Sequence, residues 1–346
     1  MTLPPLPEFP AVTYVMPVLN EEDSLERAVL TILEQDYPGE KELVLALGPS
    51  RDASDKIAER LAAGEERVRI VRNPDRDIPA GLNRAIAAGR YDVIVRVDAH
   101  SELTPDYTRR GVEALRQHGV ANVGGIMRAA GAGRVQRAIA RGYNSPFGLG
   151  GGAYHGDGEP GPAESAYLGI FRREAVEAVG GYDPSILRGE DWELNLRLRR
   201  AGYLVWFEPA LAVTYWPRAS FGDLARQFFA TGNWRAVLVR RYGRANPWRF
   251  FMPGALVLGL ALSCVALILL VLRILPWASL WSLLLVPAAA YLLGIALATL
   301  QIRDQRGRRD RLLTAVALVT MHVTWGTGFL RGIVLGGGRV VDRSRV

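Results

Sequence analysis

Cysteine is almost absent from this chain. Among its 346 residues there is one cysteine, Cys264, and there are only four histidines. One cysteine cannot form an intramolecular disulfide, and it cannot build a metal site from several thiolates. The composition therefore excludes the disulfide-rich secreted domains and the cysteine-liganded zinc proteins.

Charge is missing from three long stretches. Residues 251–272, 276–300 and 312–330 contain no Asp, Glu, Lys or Arg, and arginines flank these runs without interrupting them. Each run is long enough to cross a hydrocarbon core of about 30 Å as a helix rising about 1.5 Å per residue. We therefore predict a soluble N-terminal domain followed by an all-α transmembrane domain of about three helices. The alternative is a large soluble bundle with three apolar helices in its core.

The arginines predict an orientation in the membrane. They cluster before the first run and between the second and third, at Arg240, Arg241, Arg244 and Arg249 and at Arg303, Arg306, Arg308, Arg309 and Arg311. The positive-inside rule places both clusters in the cytoplasm and the Arg273 turn outside. A third span would then carry Arg339, Arg343 and Arg345 outside, against the rule, so a re-entrant or tilted third segment is the alternative.

The N-terminus agrees with a cytoplasmic first domain. Its opening "MTLPPLPEFPAV" lacks the basic start and apolar core of a signal peptide. The formal charge of +7 and the pI near 9.7 are also compatible with nucleic-acid binding. Because the basic residues flank apolar runs, we expect membrane lipid as the partner and no nucleic acid.

From Val12 to Ala99 the chain alternates short apolar runs with helical patterns, which is typical of a mostly parallel sheet covered by helices. Polar or turn-forming residues follow four of the apolar runs, at residues 17–21, 48–52, 73–77 and 98–101. Ligands of open α/β sheets gather at the carboxyl ends of the strands. These four turns are therefore the first candidates for a binding site.

Four segments resemble family 2 inverting glycosyltransferases. They are "VMPVLNEEDSLERAVLTILEQDYP", "GPSRDASDKIAE", "GLNRAIAAGRYDVIVRVDAHSEL" and "GGYDPSILRGEDWELNLRLRRAGY". The resemblance covers roughly residues 11–240 and is greatest to the branch that contains succinoglycan-biosynthesis ExoA-type enzymes. It implies a GT-A fold, which is Rossmann-like, and transfer of a sugar from a nucleotide-sugar donor.

The resemblance also implies a divalent cation near Asp98 and His100. A cation stabilises the diphosphate leaving group of the donor. If the stretch is extended, residues two apart point to the same side, so both side chains face one ion. Imidazole suits Mn²⁺ better than Mg²⁺, although both ions remain open. In the alternative interpretation Asp98 caps the following turn and His100 merely packs; metal, water and phosphate are the ligands left open for His100.

Asp191 matches the catalytic base of the family, which removes the proton of the acceptor hydroxyl in a single inverting displacement. Glu190, Tyr167 and Trp192 are assigned to the acceptor side. The alternative for Glu190 and Asp191 is that two acids in the first turn of a helix only stabilise its dipole.

The remaining site residues are assigned to the donor. In the N-terminal domain they are Pro17, Asn20, Glu21, Asp52, Asn83 and Arg84, together with Asp98. The family often has an aspartate at the second turn, where it contacts the base; this chain has Leu47 and Gly48, which leaves the nucleotide open. Farther along, Arg218 and Gln227 are predicted to contact the diphosphate. The segment 216–249 that carries them combines a basic amphipathic pattern with tryptophans, typical of helices at a membrane interface.

A stretch rich in glycine and proline, residues 145–165, lies between the segment that carries Asp98 and the segment that carries Asp191. We interpret it as a mobile active-site loop, with a disordered connection as the alternative. His155 and Asp157 in this loop are candidates to approach the metal or the acceptor.

Five segments are predicted: a tail at 1–10, the GT-A domain at 11–215, interface helices at 216–249, transmembrane helices within 250–335, and a tail at 336–346. The predicted function is a membrane-bound, metal-dependent inverting glycosyltransferase. Its acceptor is predicted to be a polyprenyl-linked or other lipid-linked glycan, and its catalytic domain cytoplasmic. The alternatives are a non-catalytic scaffold that binds nucleotide or glycan, and a transporter, which would need more polar residues in its spans.

Overall fold

A computed structural model describes residues 3–149, 158–276, 280–302 and 307–337. Within these ranges the chain divides into two compact units. The first contains the residues up to Ala129 and residues 158–216. The second contains residues 130–149 and the chain from Pro217 onward.

The first unit is built on a nine-stranded sheet in the order β3-β2-β1-β4-β8-β6-β9-β5, with β7 paired to β9. The strands are β1 (Val12–Val18), β2 (Lys41–Leu47), β3 (Val68–Arg72), β4 (Val93–Arg96), β5 (Ser101–Leu103), β6 (Asn122–Ala129), β7 (Gly161–Pro162), β8 (Tyr167–Arg172) and β9 (Val205–Tyr215). Strands β1–β4, β6 and β9 run in one direction, whereas β5, β7 and β8 are antiparallel to their neighbours. The predicted mostly parallel α/β sheet is confirmed.

Helices cover both faces of this sheet. They are α1 (Leu25–Leu33), α2 (Ser54–Gly64), α3 (Ile78–Ala88), α4 (Tyr107–His118), α6 (Arg173–Ala178) and α7 (Glu190–Arg200). Alternate residues of β1 point to opposite faces, so Tyr14 and Met16 belong to one core and Val15 to the other. Because both faces of the central strands are buried, their apolar runs are nearly continuous.

The second unit is helical. It contains α5 (Arg134–Asn144), α8 (Phe221–Tyr242), α9 (Met252–Val271), α10 (Val286–Gln301) and α11 (Arg308–Leu335). A 3₁₀ segment, Leu280–Leu285, leads into α10. Three helical stretches are long and apolar enough to cross a membrane: Met252–Val271, Leu280–Gln301 and Arg308–Leu335.

The structure refines several predicted boundaries. The segment 216–249 forms one long helix, α8, followed by two short 3₁₀ turns. The third apolar run belongs to the 28-residue helix α11, and 39% of its most apolar stretch is buried, against 22% and 17% for the first two. The third helix therefore packs against protein far more than the others do.

Candidate active site

Polar turns follow β1, β2 and β4 at one edge of the sheet, as the sequence predicts. Strand β1 lies between β2 and β4, and the three are parallel, so their carboxyl ends lie side by side. Crevices of this kind, at the carboxyl ends of parallel strands, are the usual ligand sites of open α/β sheets.

The turn after β1 is hydrogen-bonded to the turn after β2. The amide of Asn20 donates to Ser50 Oγ at 3.2 Å, and Asn20 Oδ1 accepts from the amide of Arg51 at 2.7 Å. Asn20 has a φ of +54°, a left-handed conformation that asparagine tolerates better than most residues. We call residues 20–22 and 50–54 together the turn pair.

Asp52 connects the two halves of the turn pair. Its Oδ2 accepts from the amide of Glu22 at 3.1 Å, and its Oδ1 accepts from the amide of Ser54, at the start of α2, at 2.9 Å. Partial burial opposes the charged form of Asp52, but the hydrogen bonds from Ser54 and Glu22 outweigh it and lower the pKa. Asp52 is therefore a carboxylate that fixes the backbone of both turns.

Asp98 and His100 lie in a turn, not on an extended strand. Strand β4 ends at Arg96, and the amide of Ser101 closes the turn by donating to the carbonyl of Asp98 at 2.9 Å. The premise that strand alternation points both side chains to one side is therefore wrong. The imidazole of His100 instead lies 3.0 Å from Glu21 Oε1 through its Nδ1. Glu21 also accepts a hydrogen bond from Ser24 at 2.9 Å.

A buried arginine joins the turn that carries Asp98 to the start of α7, which carries Asp191. Arg96, the last residue of β4, is 2% exposed. Its Nε lies 3.2 Å from Asp98 Oδ1, its Nη2 lies 3.0 Å from Glu190 Oε1, and its Nη1 donates to Asp191 Oδ1. We call Arg96, Asp98, Glu190 and Asp191 the arginine cluster. It places the predicted base and the predicted metal ligand on one guanidinium group.

The base segment reaches the cluster because α7 begins with Glu190 and Asp191. Gly189 precedes them with a φ of +81°, which turns the chain into the helix. Three acids lie in the first turn and three arginines in the last, which complements the helix dipole. The dipole interpretation of Glu190 and Asp191 thus holds together with their contacts to Arg96.

The cluster shifts the titration of its members. Although burial lowers the pKa of Arg96, the carboxylates of Asp191 and Asp98 outweigh it and raise that pKa well above its usual range. Burial also raises the pKa of Asp191 well above its usual range, against the charge of Arg96, and the charges of Glu190 and Asp98 add to the rise. The side chain of Asp191 remains 24% exposed, so its carboxylate can still meet an acceptor.

Two tyrosines complete the surroundings of the cluster. The ring of Tyr182 lies with its centroid 5.8 Å from the Arg96 guanidinium carbon. Tyr167, at the start of β8, has its hydroxyl 3.4 Å from Ser101 Oγ. Burial, followed by the nearby charge of Asp98, raises the pKa of Tyr167, so its phenol stays protonated and can donate a hydrogen bond.

Asp98 and His100 together offer two ligand atoms. This set fits a divalent cation whose other ligands come from a bound substrate and from water. Among the described residues, no group of three or more His, Cys, Asp or Glu side chains is arranged to hold a metal. Asp98 Oδ2 and His100 Nε2 make no hydrogen bond to the described part of the chain, so each offers one ligand atom. Mg²⁺ and similar ions are often held by one or two protein ligands together with phosphates and water. A carboxylate on the other nitrogen of a ligating histidine, as Glu21 is here, is a common second partner in metal sites.

Other predicted site residues occupy different surroundings. Pro17 lies within β1. Asn83 binds the backbone of Tyr182 in both directions, at 2.7 and 2.8 Å, and Arg84 pairs with Asp75 at 2.5 Å on the surface. Trp192 is 4% exposed within α7. The donor role of Asn83 and Arg84 and the acceptor role of Trp192 remain predictions.

Arg218 and Gln227 belong to the second unit. Arg218 is 9% exposed, and Gln227 on α8 accepts a hydrogen bond from Tyr143 of α5 at 3.2 Å. Their contact with a diphosphate remains a prediction. His155 and Asp157 lie outside the described residues.

Sequence reasoning missed Arg96, although one signal pointed to it. The stretch "VIVRV" contains a single charged residue, Arg96, in an apolar run. A charge in a central strand is almost never fully buried without a partner. Pairing with acids from another segment was therefore to be expected, but the sequence does not show which acids fold against it.

Known proteins match this chain in both sequence and fold. Residues 13–180 match the family model described as Glycosyl transferase family 2. The chain is 36% identical over 323 residues to the succinoglycan biosynthesis protein ExoA of Rhizobium meliloti, covering 92% of this chain and 94% of that protein.

Two further proteins match nearly the whole chain, one by sequence and one by fold. A dolichyl N-acetyl-alpha-D-glucosaminyl phosphate 3-beta-D-2,3-diacetamido-2,3-dideoxy-beta-D-glucuronosyltransferase of Methanococcus voltae is 20% identical, covering 94% of this chain and 98% of that protein. The mannosyltransferase PcManGT from Pyrobaculum calidifontis, solved in complex with GDP-Man and Mn²⁺, superposes with a TM-score of 0.65 at 19% identity. That match covers 94% of this chain and 87% of the mannosyltransferase. The superposition confirms the GT-A fold.

Proposed function

Since the chain belongs to glycosyl transferase family 2, we propose that it is a membrane-bound, metal-dependent inverting enzyme of that family. In this proposal it transfers a sugar from a nucleotide-sugar donor to a lipid-linked glycan acceptor, in the synthesis of a cell-surface polysaccharide or glycolipid. The catalytic unit works at the cytoplasmic face.

The arginine cluster is the observation that carries this proposal. Asp98, beside the donor, and Asp191, beside the acceptor, are almost a hundred positions apart in the chain, yet both bind the guanidinium of Arg96. Transfer requires a group that assists the leaving diphosphate and a group that accepts a proton, held at a fixed separation. One buried arginine between the two carboxylates provides such a separation.

Asp191 is assigned as the base. The acceptor hydroxyl gives its proton to the carboxylate of Asp191 while its oxygen forms a bond to the anomeric carbon. The bond from that carbon to the diphosphate oxygen breaks, and its electron pair leaves with the nucleotide. A single displacement of this kind inverts the anomeric configuration and needs no covalent enzyme intermediate.

Asp98 and His100 are assigned to the divalent cation, through Asp98 Oδ2 and His100 Nε2. When bound, the ion would neutralise the charge that develops on the leaving diphosphate. Glu21 orients the imidazole of His100 from the other side. The turn pair is assigned to the nucleotide, since its backbone is already fixed by internal hydrogen bonds and needs little further ordering on binding.

The membrane and the relatives support the acceptor class. Stretches Met252–Val271 and Leu280–Gln301 are long and apolar enough to cross a bilayer, and arginines precede the first of them. Relatives are named for succinoglycan biosynthesis and for transfer to a dolichyl-linked sugar phosphate. A glycan attached to a lipid therefore fits both the chain's membrane segments and its relatives.

Two variants test the proposal in isolated membranes. Asp191→Asn and Asp98→Ala are compared with the parent for transfer from a panel of nucleotide sugars to extracted lipid-linked glycans, with Mn²⁺ or Mg²⁺ present. We expect transfer by the parent, and its loss in both variants. A donor-dependent rise in melting temperature should persist in Asp191→Asn, because the base does not bind the donor. A parent that binds nucleotide sugars but transfers none of them would support the scaffold alternative instead.

A further inference from the structure

Helix α11 is the third apolar helix, and the points at which it touches α9 and α10 show where it lies along the hairpin that these two helices form. Helices α9 and α10 are antiparallel: Ser263 donates to the carbonyl of Leu284 at 2.6 Å, and a Cβ on Gly259 would lie 3.3 Å from Pro287. The first residues of α9 and the last residues of α10 are therefore on the same side of the hairpin. If α9 and α10 span the bilayer, that side marks one membrane surface.

Helix α11 touches both helices near that side. Toward α10, Leu318 forms an apolar cluster with Ile295 and Ala298, close to the end of α10 at Gln301. Toward α9, a Cβ on Gly326 would lie 2.1 Å from the carbonyl oxygen of Pro253, so the two backbones cross in contact there. The two crossings thus lie near the last residues of α10 and the first residues of α9.

The ring of Phe329 confirms the second crossing. Its centroid lies 5.7 Å from that of Phe251, the residue before α9. From Leu318 to Phe329 the helix advances eleven residues, or about 16 Å at 1.5 Å per residue. Because this stretch begins and ends near one side of the hairpin, it runs mainly along the membrane and not across it.

Both ends of α11 are bound to arginines that precede the first span. In the first turn, Asp310 lies 3.6 Å from Arg141 of α5, and their side chains are 14% and 12% exposed. In the last turn, the carbonyl of Ile333 accepts from Arg240 of α8 at 3.5 Å. Carrying one of these ends to the far side would take an arginine through the hydrocarbon core, which is costly.

The composition of α11 agrees with this placement. Its apolar run includes four threonines, the histidine His322 and two glycines, whereas α9 has Ser263 and Cys264 as its polar or thiol side chains. His322 lies 3.1 Å from the hydroxyl of Tyr291 on α10 and 2.6 Å from the carbonyl of Phe147. These polar groups are satisfied by protein, as expected for a helix covered by other helices.

We infer that α11 is not a third span but a helix lying along the membrane surface from which α9 departs. It sits between α5 and α8 on one flank and the α9–α10 hairpin on the other. We infer that α11 contacts lipid at the boundary between the headgroups and the acyl chains, in the leaflet from which α9 departs. Leu312 and Val334, which are 65% and 77% exposed near its two ends, face that boundary.

The inference changes the predicted topology. With two spans, the tail that carries Arg339, Arg343 and Arg345 stays on the side of the residues that precede α9. The conflict between a third span and the positive-inside rule disappears. Nothing in this inference depends on the enzymatic reaction, so it stands or falls separately from the proposed function.

Labelling of single cysteines tests the topology in the full-length protein. In a Cys264→Ala background, one cysteine is introduced at a time: Glu8→Cys before the first span, Arg273→Cys in the turn between α9 and α10, and Arg343→Cys in the tail. Each variant is treated with a membrane-impermeant maleimide in intact spheroplasts and in inverted vesicles. A reporter that reacts in only one of the two preparations is assigned to the side of the membrane that this preparation exposes.

We expect Glu8→Cys and Arg343→Cys to react in the same preparation, and Arg273→Cys in the other. Arg343→Cys reacting together with Arg273→Cys would overturn the inference. A second measurement avoids thiol chemistry: alkaline phosphatase and green fluorescent protein are fused in turn after Val346. If the tail is cytoplasmic, only the fluorescent fusion is active, and if it is outside, only the phosphatase fusion is active; a tail on the side opposite to the Glu8→Cys reporter would again show that α11 crosses the membrane.

Discussion

The turn pair and the arginine cluster are the two halves of the candidate site, but they are held in different ways. In the turn pair, side chains of Asn20, Ser50, Asp52 and Ser54 bind backbone amides, and each bond has others beside it. In the arginine cluster, three carboxylates depend on one guanidinium. Losing one bond of the first kind costs about 1 kcal/mol. Removing the shared charge of the second leaves carboxylates buried without a partner, at about 3–5 kcal/mol.

The largest effect is expected at the acceptor end of the cluster. Asp191→Asn keeps the shape of the side chain and removes the base, so kcat should fall about a thousandfold, while the donor KM changes little. Initial rates with saturating acceptor measure this. Asp36→Asn, at a surface aspartate paired only loosely with Arg109, is the matched control and should behave as the parent. A kcat within tenfold of the parent would remove Asp191 from the role of base.

Arg96 tests the dependence of the cluster on one residue. Arg96→Met should destabilise the fold by about 3–5 kcal/mol, because the carboxylates lose their counter-charge. Arg96→Lys keeps a charge but cannot reach all three acids with one planar group, so it should fold and still lose roughly a hundredfold in kcat. Denaturant unfolding and kinetics separate the two effects. If Arg96→Lys is stable and fully active, Arg96 supplies only a positive charge. Other parts of the fold then hold the three acids in position.

Glu21 belongs to the turn pair and contacts His100, which lies two residues after Asp98 of the arginine cluster. Glu21→Gln should weaken Mn²⁺ binding by about 10–100-fold, because the imidazole loses the carboxylate that orients it. Electron paramagnetic resonance of free Mn²⁺ in the presence of the nucleotide gives this affinity without an activity assay. Glu26→Gln, on the surface of α1 and paired with Arg60, is the control. Equal Mn²⁺ affinity in both variants would show that the contact between Glu21 and His100 does not support binding of the ion.

The turn pair should tolerate a single loss. Asp52→Ala removes two hydrogen bonds to backbone amides, but the bonds of Asn20, Ser50 and Ser54 remain. We expect the donor KM to rise about fivefold, equivalent to about 1 kcal/mol, with kcat unchanged. Asp52→Asn should lie between this variant and the parent. A large fall in kcat would show that the two halves of the site are more tightly coupled than their separate bonding suggests.

The smallest effect is a shift in pH dependence. The folded pKa of Asp191 is raised, and the base acts when deprotonated, so transfer should be lost as pH falls through a value above the ordinary aspartate pKa of about 4. Glu190 contributes to the rise. Glu190→Gln should therefore move the acid limb of the kcat/KM profile to lower pH, by about one unit or less. A limb that moves upward would reverse the assigned sign of the interaction.

The sequence predicted the elements of the site better than their connections. Asp98, Asp191 and the turn residues could be predicted as candidates because each lies in a short segment with a recognisable pattern. Arg96 was missed, and the geometry of His100 was wrong, because both depend on partners far away in the chain: Glu190 and Asp191 for Arg96, and Glu21 for His100. Local patterns also predicted three apolar helices, but their lengths alone do not distinguish a helix across the membrane from one along it.

Helix α5 imposes an order of events on the synthesis of this protein. It is made within the first 144 residues, but α11, against which its Gly142 lies, is complete only at Leu335. At roughly 5–20 residues per second, the ribosome needs about 10–40 s to make the intervening chain. During that interval the apolar face of α5 has no α11 to cover it. A chaperone or the membrane surface is then its available cover, so in a stalled or truncated chain this face of α5 is a site for aggregation.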